Sequence, residues 1–125
     1  MTKLLFLGLA GAAGTLARFG VMEGMKRLAP GVMPWGTWAA NLLGCFLFGL
    51  IWALAEERGA VSAGFRLYAL VGFMGAFTTF STFAFESVDL FRAGEALACL
   101  ANIVGQNVLG LASVVAGLAV ARLFA

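Results

Sequence analysis

The side chains in this sequence best suited to chemistry are uncharged hydrogen-bond donors, and they are densest in residues 75–83. Four hydroxyls alternate there with three phenylalanines: Thr78, Thr79, Ser81 and Thr82 with Phe77, Phe80 and Phe83. Hydroxyls donate hydrogen bonds, and the edge of an aromatic ring is partly positive, so both groups favour an anion. Two alternatives stay open, because phenylalanine rows often only pack and hydroxyls often bond to carbonyls one turn earlier.

Carboxamides supply further donors in the second and fourth apolar segments. Asn41 lies in the second, while Asn102, Gln106 and Ser113 in the fourth have spacings of four and seven, which places them on one helix face; Asn107 lies off it. Hydrogen bonding between helices alone, worth about 0.6 kcal/mol on average, is the simpler explanation. Three aligned neutral polar residues instead favour a polar track.

Other reactive groups are scarce. The chain has no histidine and no Asp or Glu at the centre of a span, which disfavours a proton relay or a buried cation site. Glu23 and Glu86 are interpreted as interfacial charges near helix ends. Arg18 either extends to the membrane surface or concentrates anions at a pore mouth. Without a nucleophile paired with a base or a phosphate-binding loop, an enzyme is not expected.

Cys45 and Cys99 lie inside separate apolar segments, far from any paired or metal-ligand spacing. They are interpreted as small apolar residues, so neither a disulfide nor a cysteine metal site is expected.

Composition indicates what positions these groups. Of 125 residues, 62% are hydrophobic and 11% charged, and the mean hydropathy is +1.00. A membrane-spanning helix needs roughly 20 apolar residues, and four such segments occur. We predict one all-α transmembrane domain over residues 1–125, with helices at about 4–28, 35–55, 66–91 and 95–122. The first segment also resembles a secretory signal, but the later spans favour a permanent helix.

The third helix is predicted to be interrupted near its middle. At about 100° per residue, its four hydroxyls point in widely different directions, so a regular helix would turn some of them toward lipid. Gly72 and Gly75 precede them. Non-helical backbone at membrane depth is tolerated only where it is buried or lines a wet cavity. We therefore expect an interruption around Gly75 to Thr79.

Flanking basic residues give little orientation bias. One face carries Lys3, Arg58, Arg66 and Arg122, and the other carries Lys26, Arg27 and Arg92. A balanced chain can insert both ways, so we predict a dual-topology antiparallel homodimer. Arg18 or a partner subunit setting one orientation is the alternative. The 17 glycines, including Gly8, Gly11, Gly14, Gly20 and Gly24, suit close packing of membrane helices.

Three motifs resemble the Fluc family, also called CrcB, of small four-helix membrane proteins. They are Gly11-Ala-Ala-Gly14-Thr-Leu-Ala-Arg18-Phe19, Gly36-Thr37-Trp-Ala-Ala-Asn41-Leu-Leu-Gly44 and Thr78-Thr-Phe80-Ser-Thr-Phe83. The resemblance covers nearly the whole chain. It implies a fluoride-selective channel in the bacterial inner membrane, formed by an antiparallel dimer with two pores, that passively exports cytoplasmic fluoride. Its partners would be fluoride, lipid and a second copy, with no nucleic acid.

The resemblance also implies site residues. By the resemblance, Phe80, Phe83 and Asn41 would line the fluoride path. The pattern of polar residues described above adds Thr79, Ser81, Thr82, Asn102, Gln106 and Ser113 as further candidate pore residues and Arg18 as a candidate for the vestibule. Carbonyls of Gly75 and Thr78 would hold a structural Na⁺ at the dimer interface. The sequence departs from the pattern at Ala76, often glycine, and at Asn102, often an aromatic hydroxyl residue. Rival functions are a dual-topology multidrug exporter and a structural subunit of a larger membrane complex.

Overall fold

The computed structural model describes residues 1–56, 59 and 61–123, and these contain four helical spans long and apolar enough to cross a membrane. Helix α1 covers Thr2–Leu28 and α2 covers Trp35–Glu56. The third span, Ala63–Arg92, consists of two helices with a break between them. The last helix, α5, covers Ala96–Leu123. Four apolar helices with an interrupted third are thus confirmed.

The two halves of the third span differ in winding. The first half, α3 at residues 63–77, begins as an α-helix at Ala63–Arg66, continues as a π-helix over Leu67–Met74 and ends with one turn at Gly75–Phe77. The second half, α4, is a regular helix over Phe80–Arg92. The break itself comprises only Thr78 and Thr79. It is narrower than the interruption expected from Gly75 onward, because Gly75 to Phe77 remain helical.

Glycines allow the helix backbones to approach closely. Helix α2 packs mainly on α5, where a Cβ on Gly49 would overlap the carbonyl of Val114 and one on Gly117 would overlap the carbonyl of Phe46. Helix α1 packs on α3, and a Cβ on Gly14 would overlap the carbonyl of Phe73. Since lipid supplies no hydrophobic force between helices, this close backbone packing is the main attraction available.

The buried core is small, and much of the apolar surface faces outward. One cluster joins Ala40, Leu70, Met74 and Phe77. Phe77, which the sequence placed in a row with Phe80 and Phe83, belongs to this core. Gly14 is the only buried residue of α1, so most of that helix is left for lipid or another subunit. Arg58, one of the flanking basic residues counted above, and its neighbour Glu57 lie outside the described residues.

Two glycines on α5 give a matched test of this packing. Gly117→Ala should lower the stability of the purified protein by about 1 to 3 kcal/mol, because the new methyl group overlaps the backbone of Phe46 and Leu50. Gly110→Ala should be tolerated, since its Cβ would meet only the Cys45 sulfur at 3.7 Å. Thermal unfolding in detergent measures both variants. Equal unfolding temperatures would contradict the proposed α2–α5 contact.

Candidate functional site

The site is built around the break between α3 and α4. Thr78 and Thr79 have extended backbones, with φ and ψ of −83° and 158° and of −147° and 108°. The Thr78 amide still donates to the Met74 carbonyl at 3.1 Å, which completes the last turn of α3. The Thr79 hydroxyl accepts from the Thr82 amide at 3.3 Å and so caps the start of α4. The threonines therefore end one helix and begin the next.

Asn41 from α2 binds the exposed peptide groups of the break. Its Oδ1 accepts from the Thr79 amide at 2.8 Å, and its Nδ2 donates to the Thr79 carbonyl at 3.2 Å. In a continuous helix that amide would donate to the carbonyl of Gly75 instead. Asn41 thus replaces the acceptor that the break removes from the Thr79 amide and also binds the Thr79 carbonyl, and Thr79 is buried with 5% exposure.

Arg18 reaches the same break from α1. Its Nη1 donates to the Thr78 carbonyl at 3.3 Å, and its side chain is partly buried. Guanidinium is a permanent cation with several donors, so it places positive charge beside the break. The residue assigned to an anion vestibule is therefore in direct contact with the segment that carries the hydroxyls.

A relay of three carboxamides leads away from Asn41. Its Nδ2 donates to Gln106 Oε1 at 2.9 Å, and Gln106 Nε2 donates to Asn102 Oδ1 at 2.8 Å. Asn102 in turn donates to the Ser87 hydroxyl at 2.9 Å, which donates to the Phe83 carbonyl at 2.8 Å. We call Asn41, Gln106 and Asn102 the amide relay. It links α2, α4 and α5 through a single hydrogen-bonded path.

A cavity of about 170 Å³ adjoins this relay. It is lined by Asn41, Cys45, Phe80, Phe83, Gln106 and Asn107. The Phe80 and Phe83 rings are 5.6 Å apart and tilted by 50° to each other. Phe83 is buried, whereas Phe80 is 78% exposed. Amide side chains and aromatic rings thus meet in one small, mainly apolar cavity whose Phe80 wall is exposed.

A second cavity, of about 360 Å³, lies where α1 ends and α2 begins, and Thr37 and Glu86 help to line it. The Thr37 hydroxyl donates to Glu86 Oε1 at 2.8 Å, and Glu86 Oε2 is buried without a partner in the described part of the chain. Glu86, interpreted from sequence as an interfacial charge near a helix end, lies beside the loop between α1 and α2, is partly buried and is bound by Thr37. Its position about one helical turn after Phe83 was the sequence feature that could have placed it near the site. Glu23 instead forms an exposed ion pair with Lys26.

The remaining predicted residues lie around the site to different degrees. Thr82 contacts the Thr79 hydroxyl at 2.8 Å, and Ser81 is exposed beside it. Ser113 lines neither cavity, although it shares a helix face with Gln106. Cys45, interpreted from sequence as a small buried apolar residue, lines the smaller cavity and is only partly buried. Trp38, which sequence reasoning passed over, donates to Asn102 at 2.7 Å.

The chain is similar to a known family and to named relatives over nearly its full length. The family described as CrcB-like protein, Camphor Resistance (CrcB), matches residues 5–118. A relative from Nitrosococcus oceani is 50% identical over 121 residues, which is 97% of each chain. One from Nitratidesulfovibrio vulgaris is 49% identical over 123 residues, covering 98% of this chain and 99% of the relative. Both are named fluoride-specific ion channel FluC.

Removing Asn41 should loosen the break. In Asn41→Ala, the Thr79 peptide and Gln106 Oε1 lose their partner, and an unsatisfied buried group costs about 1 to 3 kcal/mol. Hydrogen exchange of the Thr79 amide should accelerate by about tenfold or more, since about 1.4 kcal/mol corresponds to a factor of ten.

Asn107→Ala is the matched control, because Asn107 is exposed and its side chain donates only to the Ile103 carbonyl one turn earlier. It should leave exchange at Thr79 unchanged. Equal exchange rates in wild type and Asn41→Ala would show that Asn41 does not hold the break.

Proposed function

The chain belongs to the CrcB-like family and is a multi-pass membrane protein, and from this premise we propose that it is a fluoride-selective channel. The observation that carries the proposal is the small cavity in which Phe80 and Phe83 adjoin Asn41 and Gln106. The names of the relatives designate ion channels, which are not enzymes. They favour this function over a drug exporter or a purely structural subunit.

The chemistry of the cavity suits a small anion. Fluoride gives up a tightly held water shell on entering a narrow path, so the path must supply replacement donors at close range. Carboxamide N–H groups and ring edges are neutral donors that attract an anion without trapping it as a buried lysine would. The Arg18 guanidinium at the break adds positive potential that attracts anions toward the path.

Transport is proposed to be passive and outward. Fluoride enters cells from acidic surroundings as neutral HF and dissociates in the less acidic cytoplasm, where the ion is trapped. A membrane potential that is negative inside then drives the anion out through an open path. Such a channel protects the cell from fluoride without an energy source of its own.

A second, antiparallel copy is proposed to complete the path. In one subunit the cavity wall at Phe80 is 78% exposed, and a Cβ added to Gly8, Gly20 or Gly24 on α1 would contact nothing within 4 Å. Exposed small residues allow the backbone of another helix to approach closely. Balanced flanking charge supports insertion in both orientations, and a two-fold axis in the membrane plane then gives two pores per dimer.

A structural Na⁺ at that interface, in the bacterial inner membrane, is the last part of the proposal. Neutral carbonyl oxygens suit this ion, and the Gly75 carbonyl loses its helical donor because the Thr79 amide binds Asn41. The Thr78 carbonyl fits less well, since the Arg18 cation already donates to it. Of these two carbonyls, that of Gly75 is therefore the better ligand for the ion. The ion would have a structural role and no role in conduction.

Fluoride efflux from liposomes tests the function directly. Purified protein should release fluoride rapidly on addition of valinomycin to potassium-loaded vesicles, because the channel carries charge and needs a counter-ion current. A fluoride electrode follows the release, and chloride-loaded vesicles serve as the control. Release no faster than from empty liposomes would refute the channel, and equal chloride release would refute its selectivity.

Phe83→Ile should reduce fluoride flux by about tenfold, because it removes an aromatic ring from the cavity and aromatic contacts contribute about 0.5 to 1.5 kcal/mol. Phe80→Ile should act in the same direction. The matched control is Phe85→Ile on the same helix, since Phe85 is 69% exposed and lines neither cavity. Flux that falls equally in all three variants would argue against a specific role for the Phe80 and Phe83 rings.

A further inference from the structure

Trp38 is held on α5 beside two members of the amide relay. Its indole Nε1 donates to Asn102 Oδ1 at 2.7 Å. Its ring lies against Gly105, where an added Cβ would overlap the ring atoms. Gly105 and Gln106 follow Asn102 by three and four positions, so all three lie on the same face of α5. The ring therefore lies over the backbone next to both amides. Shape and hydrogen bonding together fix this contact.

The indole N–H restricts the orientation of the amide at its end of the relay. A carboxamide donates at its nitrogen and accepts at its oxygen, whereas an indole N–H can only donate. Asn102 must therefore turn Oδ1 toward Trp38, and Gln106 meets the same oxygen with Nε2. That leaves Gln106 Oε1 as the acceptor for Asn41.

The opposite end of the relay imposes the same direction. The Thr79 amide is also a pure donor, so Asn41 must offer it Oδ1, which turns Nδ2 toward Gln106. Two fixed donors thus bracket three amides, and each amide has one consistent orientation. Reversing any of them would set two donors face to face in a buried site, at the cost of an unmade hydrogen bond.

This orientation decides which donor remains for an ion. Asn41 Nδ2 has two hydrogens, and it has two acceptors, Gln106 Oε1 and the Thr79 carbonyl. Gln106 Nε2 also has two hydrogens but only one acceptor within the described part of the chain, Asn102. Gln106 is buried, with 7% exposure, and lines the cavity beside Phe80 and Phe83. Asn102 Nδ2 likewise has one acceptor among the described contacts, Ser87, but Asn102 does not line this cavity. The second N–H of Gln106 is therefore the spare relay donor beside the cavity.

We propose that Trp38 is a positioning residue for the fluoride path: its indole N–H holds Asn102 Oδ1 in place as the acceptor for Gln106, and this anchor, together with Asn41 at the other end, keeps the second N–H of Gln106 directed at the anion. The inference rests on the proposed channel function and adds a residue outside the expected pore set.

The first experiment reads the hydrogen bond without reference to fluoride. Protein labelled with ¹⁵N-tryptophan should give a Trp38 indole signal that exchanges slowly with solvent. Asn102→Ala should shift that signal and speed its exchange, because the acceptor is gone. Trp52, near the far end of α2, is the internal reference and should be unaffected. An unchanged Trp38 signal would overturn the proposal.

The second experiment measures flux. Trp38→Phe keeps a ring on Gly105 and removes the donor, so fluoride efflux should fall by about threefold to tenfold, the range expected for one net hydrogen bond. Trp52→Phe is the matched control and should keep wild-type flux, because Trp52 is 44% exposed and its indole makes no hydrogen bond among the described contacts. Wild-type flux in Trp38→Phe would overturn the proposal.

Combining the variants separates positioning from simple packing. If Trp38 acts through Asn102, adding Trp38→Phe to Asn102→Ala should cause little further loss of flux. An undiminished further loss would show that Trp38 acts by another route. If the wild-type protein carries no fluoride at all, the channel proposal fails, whereas the indole signal still decides whether Trp38 orients the relay.

Discussion

The Thr79 amide has lost its helical acceptor at membrane depth, and Asn41 binds both this amide and the Thr79 carbonyl. Lipid cannot hydrogen-bond a free N–H or carbonyl, so an interrupted span survives only if neighbouring residues satisfy it. This requirement explains much of the surrounding architecture. Asn41 must project from α2 at the level of the break, and α2 must lie close enough to reach it. The close approach is possible because Gly44 faces Thr78 and Phe77, where a Cβ would overlap the Thr78 methyl group.

Satisfying the break creates a further demand, because the amide that does so is itself polar and partly buried. Asn41 donates a hydrogen bond to Gln106, and Gln106 donates one to Asn102. Asn102 donates to the Ser87 hydroxyl, which donates to the Phe83 carbonyl. Buried polar networks stabilise a structure only when every member has a partner. The same network leaves one Gln106 N–H unused beside Phe80 and Phe83. The side chains that satisfy the break therefore also form the wall of the proposed anion path.

The wall of the proposed path contains amide hydrogen-bond donors and no charged side chain. Ionised groups near the bilayer centre are costly, and an oppositely charged one would hold a fluoride ion too tightly to release it. Arg18 is placed at the Thr78 carbonyl and outside the small cavity, while Glu86 faces the larger cavity through Thr37. Neither the cation nor the carboxylate therefore lines the small cavity.

The sequence by itself determined the class of protein, the four spans and the interruption of the third. Those properties depend on composition and on local spacing, such as the hydroxyls at residues 78–82, which no single helix face can hold. It also indicated Asn41, Phe80 and Gln106 as candidate site residues, because few roles account for polar or aromatic residues at these positions in an apolar span. Tertiary structure alone decided that Phe77 belongs to the core, that Glu86 pairs with Thr37, and that Trp38 binds Asn102. These contacts join residues 49 and 64 positions apart, and their partners depend on how the helices pack, which helical periodicity does not specify.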